Sequence, residues 1–318
     1  MLAEISVLVF AIIIIVLTAE ISIRSSLSIA ARYGLSDSFI GLTVLSVGTS
    51  LPEIFTAFTG AIKIIQGGSK EISYAIIGTN VGSDIFQQTF VLGLVAFLFP
   101  IKFREKTDTQ EIKLLIGATA LLLILCLDGI LSKVEGLALM LLYLLLICSM
   151  AKNENRKTKQ KTKGLAETLR DSSILLSALI IMGIAADNAL NAIQYLVVSL
   201  GISATFLGAI TLGIASALPE LTTAITAAIR GRRHISEGTL IGSNITNPMF
   251  GLGLGAAISS LHVPHSAIIF DMPYKLLCAF LLYSIIKRKG DISRVSALIL
   301  IFLYVTYLSL RSVFLLHA

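Results

Sequence analysis

The stretch Gly41-Leu-Thr-Val-Leu-Ser-Val-Gly-Thr-Ser-Leu-Pro-Glu53 recurs 167 residues later as Gly208-Ala-Ile-Thr-Leu-Gly-Ile-Ala-Ser-Ala-Leu-Pro-Glu220. A second block follows each copy, because Gly78-Thr-Asn-Val-Gly-Ser-Asp-Ile-Phe-Gln87 aligns with Gly238-Thr-Leu-Ile-Gly-Ser-Asn-Ile-Thr-Asn247. Both copies of both blocks lie within long apolar sequence. The recurrence indicates that the chain consists of two related halves.

The composition places both halves in a membrane. Of the 318 residues, 55% are hydrophobic and only 14% are charged, whereas soluble domains carry about 25% charged residues. This excludes a soluble enzyme, a disordered protein and a nucleic-acid-binding module. A membrane helix needs about 20 apolar residues, and the apolar stretches predict ten spans. The predicted spans are 5–33, 38–66, 71–98, 111–130, 133–151, 171–200, 204–230, 235–261, 265–286 and 293–315.

The basic residues favour ten spans with both termini outside the cell. Cytoplasmic loops of membrane proteins carry an excess of Lys and Arg, and the segment 152–168 is strongly basic. With this linker in the cytoplasm, most other basic residues fall on the same side, so the net charge of +6 reflects topology. The outer side keeps only Lys63, Lys70, Lys133, Lys275 and Arg311.

The linker divides the chain into two units of five predicted spans. The first repeat covers 1–151, with its motif region at 41–98, and the second covers 169–318, with its motif region at 208–258. Because five is an odd number, the second half enters the membrane upside down relative to the first. We therefore predict an all-α polytopic membrane protein with ten transmembrane helices in two inverted repeats, an architecture of many secondary transporters.

Leu-Pro-Glu lies in the middle of a predicted span in each half. Proline removes a backbone donor and clashes one turn back, so spans two and seven are predicted to break near Pro52 and Pro219. A carboxylate beside such a break is costly in hydrocarbon unless it is paired or binds something. A proline kink with a protonated glutamate could explain one copy, but two matching copies favour a midplane ion site at Glu53 and Glu220.

Helical spacing places further polar groups beside each glutamate. Residues three and four apart share a helix face, and close packing of small residues explains the glycines and serines but not Asp84, Gln87 and Asn247. The predicted metal ligands are Glu53, Glu220, Thr49, Ser216, Ser50, Ser83, Gln87, Ser243, Asn247 and Asp84.

The ligand chemistry fits a hard cation. Carboxylates, hydroxyls, amides and carbonyls match Ca²⁺, which takes 6–8 oxygen ligands, and the absence of His and Cys from the blocks argues against Zn²⁺, Cu and Fe. Two glutamates balance one divalent ion, two monovalent ions or two protons, as an exchanger requires. A cation channel is disfavoured because channel pores are normally shared by several subunits. An intramembrane enzyme is disfavoured because no nucleophile–base pair or His-rich site is present, and no resident cofactor is predicted.

At these residues the sequence resembles the calcium/cation antiporter superfamily, closest to its sodium/calcium exchanger branch. Gly48-Thr-Ser-Leu-Pro-Glu53 and Gly242-Ser-Asn-Ile245 carry the resemblance, which extends over essentially the whole chain. It implies that spans two, three, seven and eight surround the site and that spans one and six slide as a gate. The ligands it implies are Glu53 and Glu220 for Ca²⁺, the carbonyls of Thr49 and Ser216, and Ser50, Ser83 and Ser243 for Na⁺.

Four positions depart from the pattern of that branch. Ala217 replaces a serine, Gln87 replaces the shorter asparagine, Asn247 stands where aspartate can occur, and Asp84 stands at a position that is often small and neutral. Three functions therefore remain open: Ca²⁺/Na⁺ exchange, Ca²⁺/H⁺ exchange with protons carried by the two glutamates, and exchange of Mg²⁺ or Mn²⁺. In each case we expect a monomer in the cell membrane whose partners are the transported ions and lipid.

Overall fold

The structure is a computed structural model that describes residues 2–99, 101–102, 107–155, 164–199 and 213–317. Most of these residues are helical, and residues 213–216 form a short helical segment before α8. The helices are α1 (Leu2–Tyr33), α2 (Asp37–Thr49), α3 (Leu51–Ile65), α4 (Lys70–Leu98), α5 (Thr107–Leu125), α6 (Lys133–Asn155), α7 (Leu165–Ser199), α8 (Leu218–Ile229), α9 (233–258), α10 (267–289) and α11 (Arg294–His317).

The membrane character of the chain is evident from these helices. Among the described residues, six helices are long and apolar enough to cross a membrane, and the number is seven if α2 and α3 form one bent span. Helix α8 is apolar but short, and the predicted start of its span at 204–212 lies outside the described residues. The total of ten spans stays a prediction.

The helix breaks at the two Leu-Pro-Glu motifs have the same local geometry. Ser50 has φ −79° and ψ 7°, and its counterpart Ala217 has φ −81° and ψ 5°. Helices α2 and α3 meet at Ser50 with a bend of 45°. Pro52 and Pro219 therefore lie in the first turn of a new helix, where the missing N–H would have no helical partner in any case.

Four two-residue strands in the described part of the chain modify the expected all-α fold. They are β1 (Ile101–Lys102), β2 (Ile130–Leu131), β3 (Leu261–His262) and β4 (Asp291–Ile292). β1 pairs with β4 and β2 with β3, both antiparallel. Each pair joins the first half of the chain to the second, so the halves are held together outside the helices as well as through them.

Glycines allow α2 and α9 to cross with their backbones in close contact. A Cβ atom added to Gly41 would lie 2.7 Å from the carbonyl oxygen of Ile235, and one added to Gly242 would lie 2.6 Å from that of Leu42. Such close approach through small residues is a common packing mode of membrane helices. It places the helix break at Ser50 beside the polar block 238–247 on α9.

Helices α1 and α7 form a pair that contacts α2, α8 and α9 through a second apolar cluster. They pack along one another, and Ile15, Ala19 and Ile23 of α1 share an apolar cluster with Leu179 and Met182 of α7. This cluster is separate from the large core that unites most of the other helices.

Two basic residues assigned to the outer side are buried in ion pairs and do not face water. Lys275 is 1% exposed and pairs with Asp84, and Arg311 is 7% exposed and pairs with Asp271. Both basic side chains are buried because a carboxylate of a neighbouring helix compensates their charge. Residues 156–163 of the predicted linker lie outside the described residues, while α6 extends to Asn155 and α7 begins at Leu165.

Candidate functional site

Glu53 and Glu220 occupy matching positions directly after the two helix breaks. Each lies in the first turn of its helix, α3 or α8, and each is 0% exposed. The first turn of a helix has unpaired backbone N–H groups and a partial positive charge. The break thus provides a favourable position for a carboxylate that would otherwise be expensive to bury.

Each glutamate accepts a hydrogen bond from a serine of its own half. The Ser83 hydroxyl on α4 donates to Glu53 Oε1 over 2.7 Å, and the Ser243 hydroxyl on α9 donates to Glu220 Oε1 over 3.5 Å. Ser83 in turn accepts a 2.8 Å hydrogen bond from Gln87 Nε2. The two polar blocks are therefore adjacent to the two Leu-Pro-Glu motifs.

The helix breaks also contribute groups to the opposite half. The Ser50 hydroxyl donates to Glu220 Oε1 over 3.1 Å, and Thr49 also interacts with Glu220. Ser216, the counterpart of Thr49, interacts with Glu53. Each glutamate is thus held by hydroxyls from both halves, and the site lies where the two breaks meet.

Several buried oxygens near these contacts have no hydrogen-bond donor among the described residues. They include one carboxylate oxygen on each glutamate, Glu53 Oε2 and Glu220 Oε2, and the amide oxygens of Gln87, Asn244 and Asn247. Buried polar atoms normally have a partner, and leaving them unpaired is costly. A set of unpaired acceptors suits a bound cation.

The acidic residues alone do not form a metal cluster. No group of three or more His, Cys, Asp and Glu residues suited to a metal ion occurs in the described part of the chain. A cation at this site would depend on hydroxyl, amide and backbone oxygens beside the two glutamates, which is the mixed oxygen set predicted from the sequence.

Asp84 has partners of its own. Its Oδ1 accepts a 2.7 Å hydrogen bond from Asn247 Nδ2, and its Oδ2 lies 2.5 Å from Lys275 Nζ. The structure therefore brings Asp84 and Asn247 together but engages Asp84 with a lysine. Lys275 is not among the residues predicted for this region, although a lone lysine inside the apolar stretch 265–286 is a signal for a buried ion pair.

The amide positions coincide with irregular helix turns. Five-residue π-helical turns begin at Gln87 and at Asn247, the last residues of the two aligned blocks. Such turns insert an extra residue and are frequent at functional sites. The same irregularity thus follows the polar block in both halves of the chain.

Comparison with known proteins identifies the family. A family profile described as "Sodium/calcium exchanger protein" matches residues 4–151 and 172–313. The chain belongs to the sodium/calcium exchanger family. The resemblance predicted from the two motifs is confirmed, and the chain is a cation antiporter of a membrane-protein family rather than an enzyme.

Several curated relatives match over nearly the full chain. The "Inner membrane protein YrbG" of Escherichia coli is 28% identical over 91% of this chain and 90% of its own length. The "Sodium/calcium exchanger MaX1" of Methanosarcina acetivorans is 24% identical over 95% and 96% of the two chains. The "Putative antiporter CaxA" of Alkalimonas amylolytica is 26% identical over 96% and 98%.

The fold of the exchanger family also appears among solved structures. The sodium-calcium exchanger NCX_Mj, soaked with Na⁺ and Sr²⁺, superimposes with a TM-score of 0.81 at 23% identity and covers 97% of this chain and 98% of that chain. At this identity the likeness establishes a shared fold. The assignment of ion ligands in the present chain therefore rests on the residues of this chain and not on those of NCX_Mj.

A cleft in the exchanger reaches the residue directly before Glu53. Its volume is about 370 Å³, and it lies between α3 and α7. Its polar lining consists of Thr56, Thr59 and Asp187, and it reaches Pro52, the residue directly before Glu53. The cleft thus connects the neighbourhood of the site with a polar position on α7.

Proposed function

We propose that this chain exchanges Ca²⁺ for Na⁺ across the cell membrane by alternating access, with Glu53 and Glu220 as the shared carboxylates. The observation that carries this proposal is the matching environment of the two glutamates. Each is fully buried at a helix break, each is held by hydroxyls, and each keeps one oxygen without a donor among the described residues.

The charge of this pair explains why transport would be coupled. Two ionised carboxylates balance one Ca²⁺ or two Na⁺. A site without cargo would leave two uncompensated charges at membrane depth, which is costly. Only the loaded forms would therefore reorient readily, so outward movement of one kind of ion requires inward movement of the other kind in return.

The helix breaks would supply further ligands. Pro52 and Pro219 have no N–H to offer the carbonyls four residues earlier, at Gly48 and Ala215, so these helix ends expose backbone oxygens. The resemblance adds the carbonyls of Thr49 and Ser216. Together with the serine hydroxyls and the amide oxygens, these groups would complete an oxygen shell around a hard cation. No resident cofactor is needed.

The serines, the amides and Asp84 have different proposed roles. Ser50, Ser83 and Ser243 contact the glutamates directly and would ligate Na⁺. Gln87 and Asn247 keep amide oxygens without a donor in the described residues and would ligate either cargo. Asp84 would affect the site through its charge, because its two oxygens already bind Asn247 and Lys275.

Exchange of Ca²⁺ for H⁺ is the second candidate. Ala217 stands at the position that matches Ser50, so Glu53 lacks the hydroxyl that Ser50 gives to Glu220. Asn247 also provides no carboxylate. Both features weaken a Na⁺ site, whereas two glutamates could carry two protons. Mg²⁺ or Mn²⁺ as the divalent cargo is a further alternative.

We also propose the ten-span inverted topology, with the exchanger acting as a monomer and both termini outside. Strands β1 and β3 support it, because Ile101 and Leu261 are 160 residues apart, the same offset as the second polar block. β1 precedes α5, whereas β3 pairs with β2, which follows α5. The 19 residues of α5 separate its two ends by about 28 Å. Matching segments thus lie at opposite ends of one helix.

Helices α1 and α7 are the candidates for the moving part. Their contact lies in an apolar cluster distinct from the main core, which the pair shares with residues of α2, α8 and α9. Movement of the pair against those helices would therefore leave the main core closed. Sliding would expose the glutamates first to one side and then to the other.

The function can be tested with the purified chain in liposomes. We expect Ca²⁺ uptake when the lumen is loaded with Na⁺ and the external medium lacks it. A pH gradient is imposed in a separate experiment, and Mg²⁺ and Mn²⁺ are added as competitors. Uptake driven only by the pH gradient would assign the chain to the proton-coupled candidate, and no uptake under either gradient would overturn the exchange proposal.

A further inference from the structure

Lys275 is a buried ammonium group in the middle of α10. It is 1% exposed and is among the largest fully buried side chains of the described residues. Its Nζ lies 2.5 Å from Asp84 Oδ2 and 3.4 Å from the carbonyl oxygen of Asn244. A lysine at membrane depth is rare and is normally compensated by a partner. Here the compensation comes from α4 and α9, the two helices that carry the polar blocks.

The backbone of the same residue is also anchored to α4. The side-chain Nε2 of Gln88 donates to the carbonyl oxygen of Lys275 over 3.1 Å. The lysine is therefore held at its backbone carbonyl by Gln88 and at its ammonium end by Asp84 and Asn244. This arrangement holds the ammonium in one place, so the charge does not leave with the transported ions.

Asp84 connects this pair to the ion site. It is adjacent in sequence to Ser83, which donates to Glu53, and it accepts a hydrogen bond from Asn247. The charges of Asp84 and Glu53 lie close enough to interact. Without Lys275, none of the three carboxylates of the region, Glu53, Glu220 and Asp84, would be paired with a basic side chain.

We propose that Lys275 is a built-in counter-ion that permanently neutralises Asp84 and so limits the exchangeable charge to that of Glu53 and Glu220. This inference rests on the proposed exchange function and specifies its coupling. Three carboxylates and one ammonium leave a net charge of minus two, which one divalent cation or two monovalent cations balance. Exchange is therefore electroneutral, with two monovalent ions for each divalent ion, whether the monovalent ion is Na⁺ or H⁺.

The first experiment measures steady-state Ca²⁺ accumulation in liposomes at a clamped membrane potential. A K⁺ gradient with valinomycin sets the potential to zero or to about 100 mV, and a fixed Na⁺ or pH gradient drives uptake. For a cycle that moves one net charge, this potential changes the accumulation ratio about fifty-fold. We expect no change for the wild-type chain, and a fifty-fold change would overturn the inference.

The second experiment measures ion binding without transport. The midpoint of thermal unfolding of the purified chain is followed against Na⁺ concentration in the wild type, in Lys275→Met and in the double variant Asp84→Asn/Lys275→Met. Lys275→Met leaves three carboxylates, so we expect its Hill coefficient for Na⁺ to exceed the wild-type value by about one. The double variant has only the two carboxylates of Glu53 and Glu220, so we expect the wild-type Hill coefficient.

The outcomes separate this inference from the proposed function. Absence of Ca²⁺ uptake by the wild type under any gradient would refute exchange, and the binding series would still decide the role of Lys275. An unchanged Hill coefficient in Lys275→Met would refute the counter-ion. If Lys275→Met does not fold, the double variant decides, because potential-dependent accumulation in it would show that the coupling is not set by the two glutamates.

Discussion

Glu20 on α1 forms an ion pair with Arg230, the residue directly after α8. Arg24 binds the same carboxylate. The counterparts of Glu20 and Arg230 at the repeat offset of 167 residues are Asp187 and Lys63, and these two described residues make no ion pair with each other. Asp187 instead lines the cleft beside Pro52. The side of the site with the Glu20–Arg230 ion pair is called the tied side. On the matching side, Asp187 and Lys63 form no such pair, and a cleft is present there.

Breaking this pair should shift the exchanger toward opening on the tied side. Arg230→Gln removes one attraction between α1 and the end of α8, and a partly exposed ion pair is worth about 0.2–1 kcal/mol. We expect up to a roughly five-fold increase in the labelling rate of a Thr226→Cys variant by a membrane-impermeant maleimide. All labelling variants are made in a chain in which the native cysteines Cys126, Cys148 and Cys278 are replaced, so that only the introduced cysteine can react.

Two matched variants test the asymmetry. Thr59→Cys is the counterpart of Thr226→Cys and lies in the open cleft, so it should be labelled without further changes. Lys63→Gln is the counterpart of Arg230→Gln and breaks no ion pair among the described contacts, so it should leave labelling at position 226 unchanged. Equal effects of Arg230→Gln and Lys63→Gln would contradict the idea of a one-sided tie.

Removing either glutamate charge should abolish divalent exchange. Glu53→Gln and Glu220→Gln each keep the size of the side chain but leave only one of the two negative charges at the helix breaks. We expect Ca²⁺ uptake by liposomes to fall at least ten-fold in both, because loss of a charged hydrogen-bonding ligand costs about 1.5–3 kcal/mol. Glu71→Gln, at an exposed position near the start of α4, is the control and should transport normally. Normal transport by either site variant would rule out shared carboxylates.

The close crossing of α2 and α9 predicts a stability effect. A Cβ atom added to Gly238 would lie 2.9 Å from the carbonyl oxygen of Ser38, so Gly238→Ala forces two backbones apart. Such overpacking costs about 1–3 kcal/mol, and the midpoint of thermal unfolding in detergent should fall by several degrees. Gly117→Ala on α5, where a Cβ would meet nothing within 4 Å, should leave the midpoint unchanged or raise it. An equal fall in both variants would refute the steric explanation.

Local chemistry explains what the sequence could predict. A proline inside an apolar span determines a helix break, and its repetition marked Glu53 and Glu220 together. The predicted bounds of the first three spans agree with the helices within a few residues, because charged and glycine-containing turns separate them. These features depend on residues close in the chain.

Features fixed by tertiary contacts could not be predicted. A two-residue strand such as Ile101–Lys102 has too few positions to show alternation, and only its pairing with Asp291–Ile292 defines it. Lys275 follows a π-helical turn at Ala267–Asp271. The extra residue in that turn rotates the rest of α10, so a regular helical period could not predict that Lys275 faces Asp84.

Restoring a hydroxyl at position 217 should strengthen Na⁺ binding. Ala217 is fully buried at the second helix break, where its counterpart Ser50 donates a hydrogen bond to Glu220 across the site. By the same symmetry, a serine at 217 would approach Glu53, whose Oε2 has no donor among the described residues. One added hydrogen bond or ligand contributes about 0.5–1.5 kcal/mol. We therefore expect the Na⁺ concentration for half-maximal exchange to fall about two- to ten-fold in Ala217→Ser.

Ala224→Ser adds the same hydroxyl to a buried position in the apolar core and should not lower this concentration. An unchanged Na⁺ dependence in Ala217→Ser would mean that another group already completes the environment of Glu53, and the asymmetry between the two breaks would then have no part in choosing between Na⁺ and H⁺.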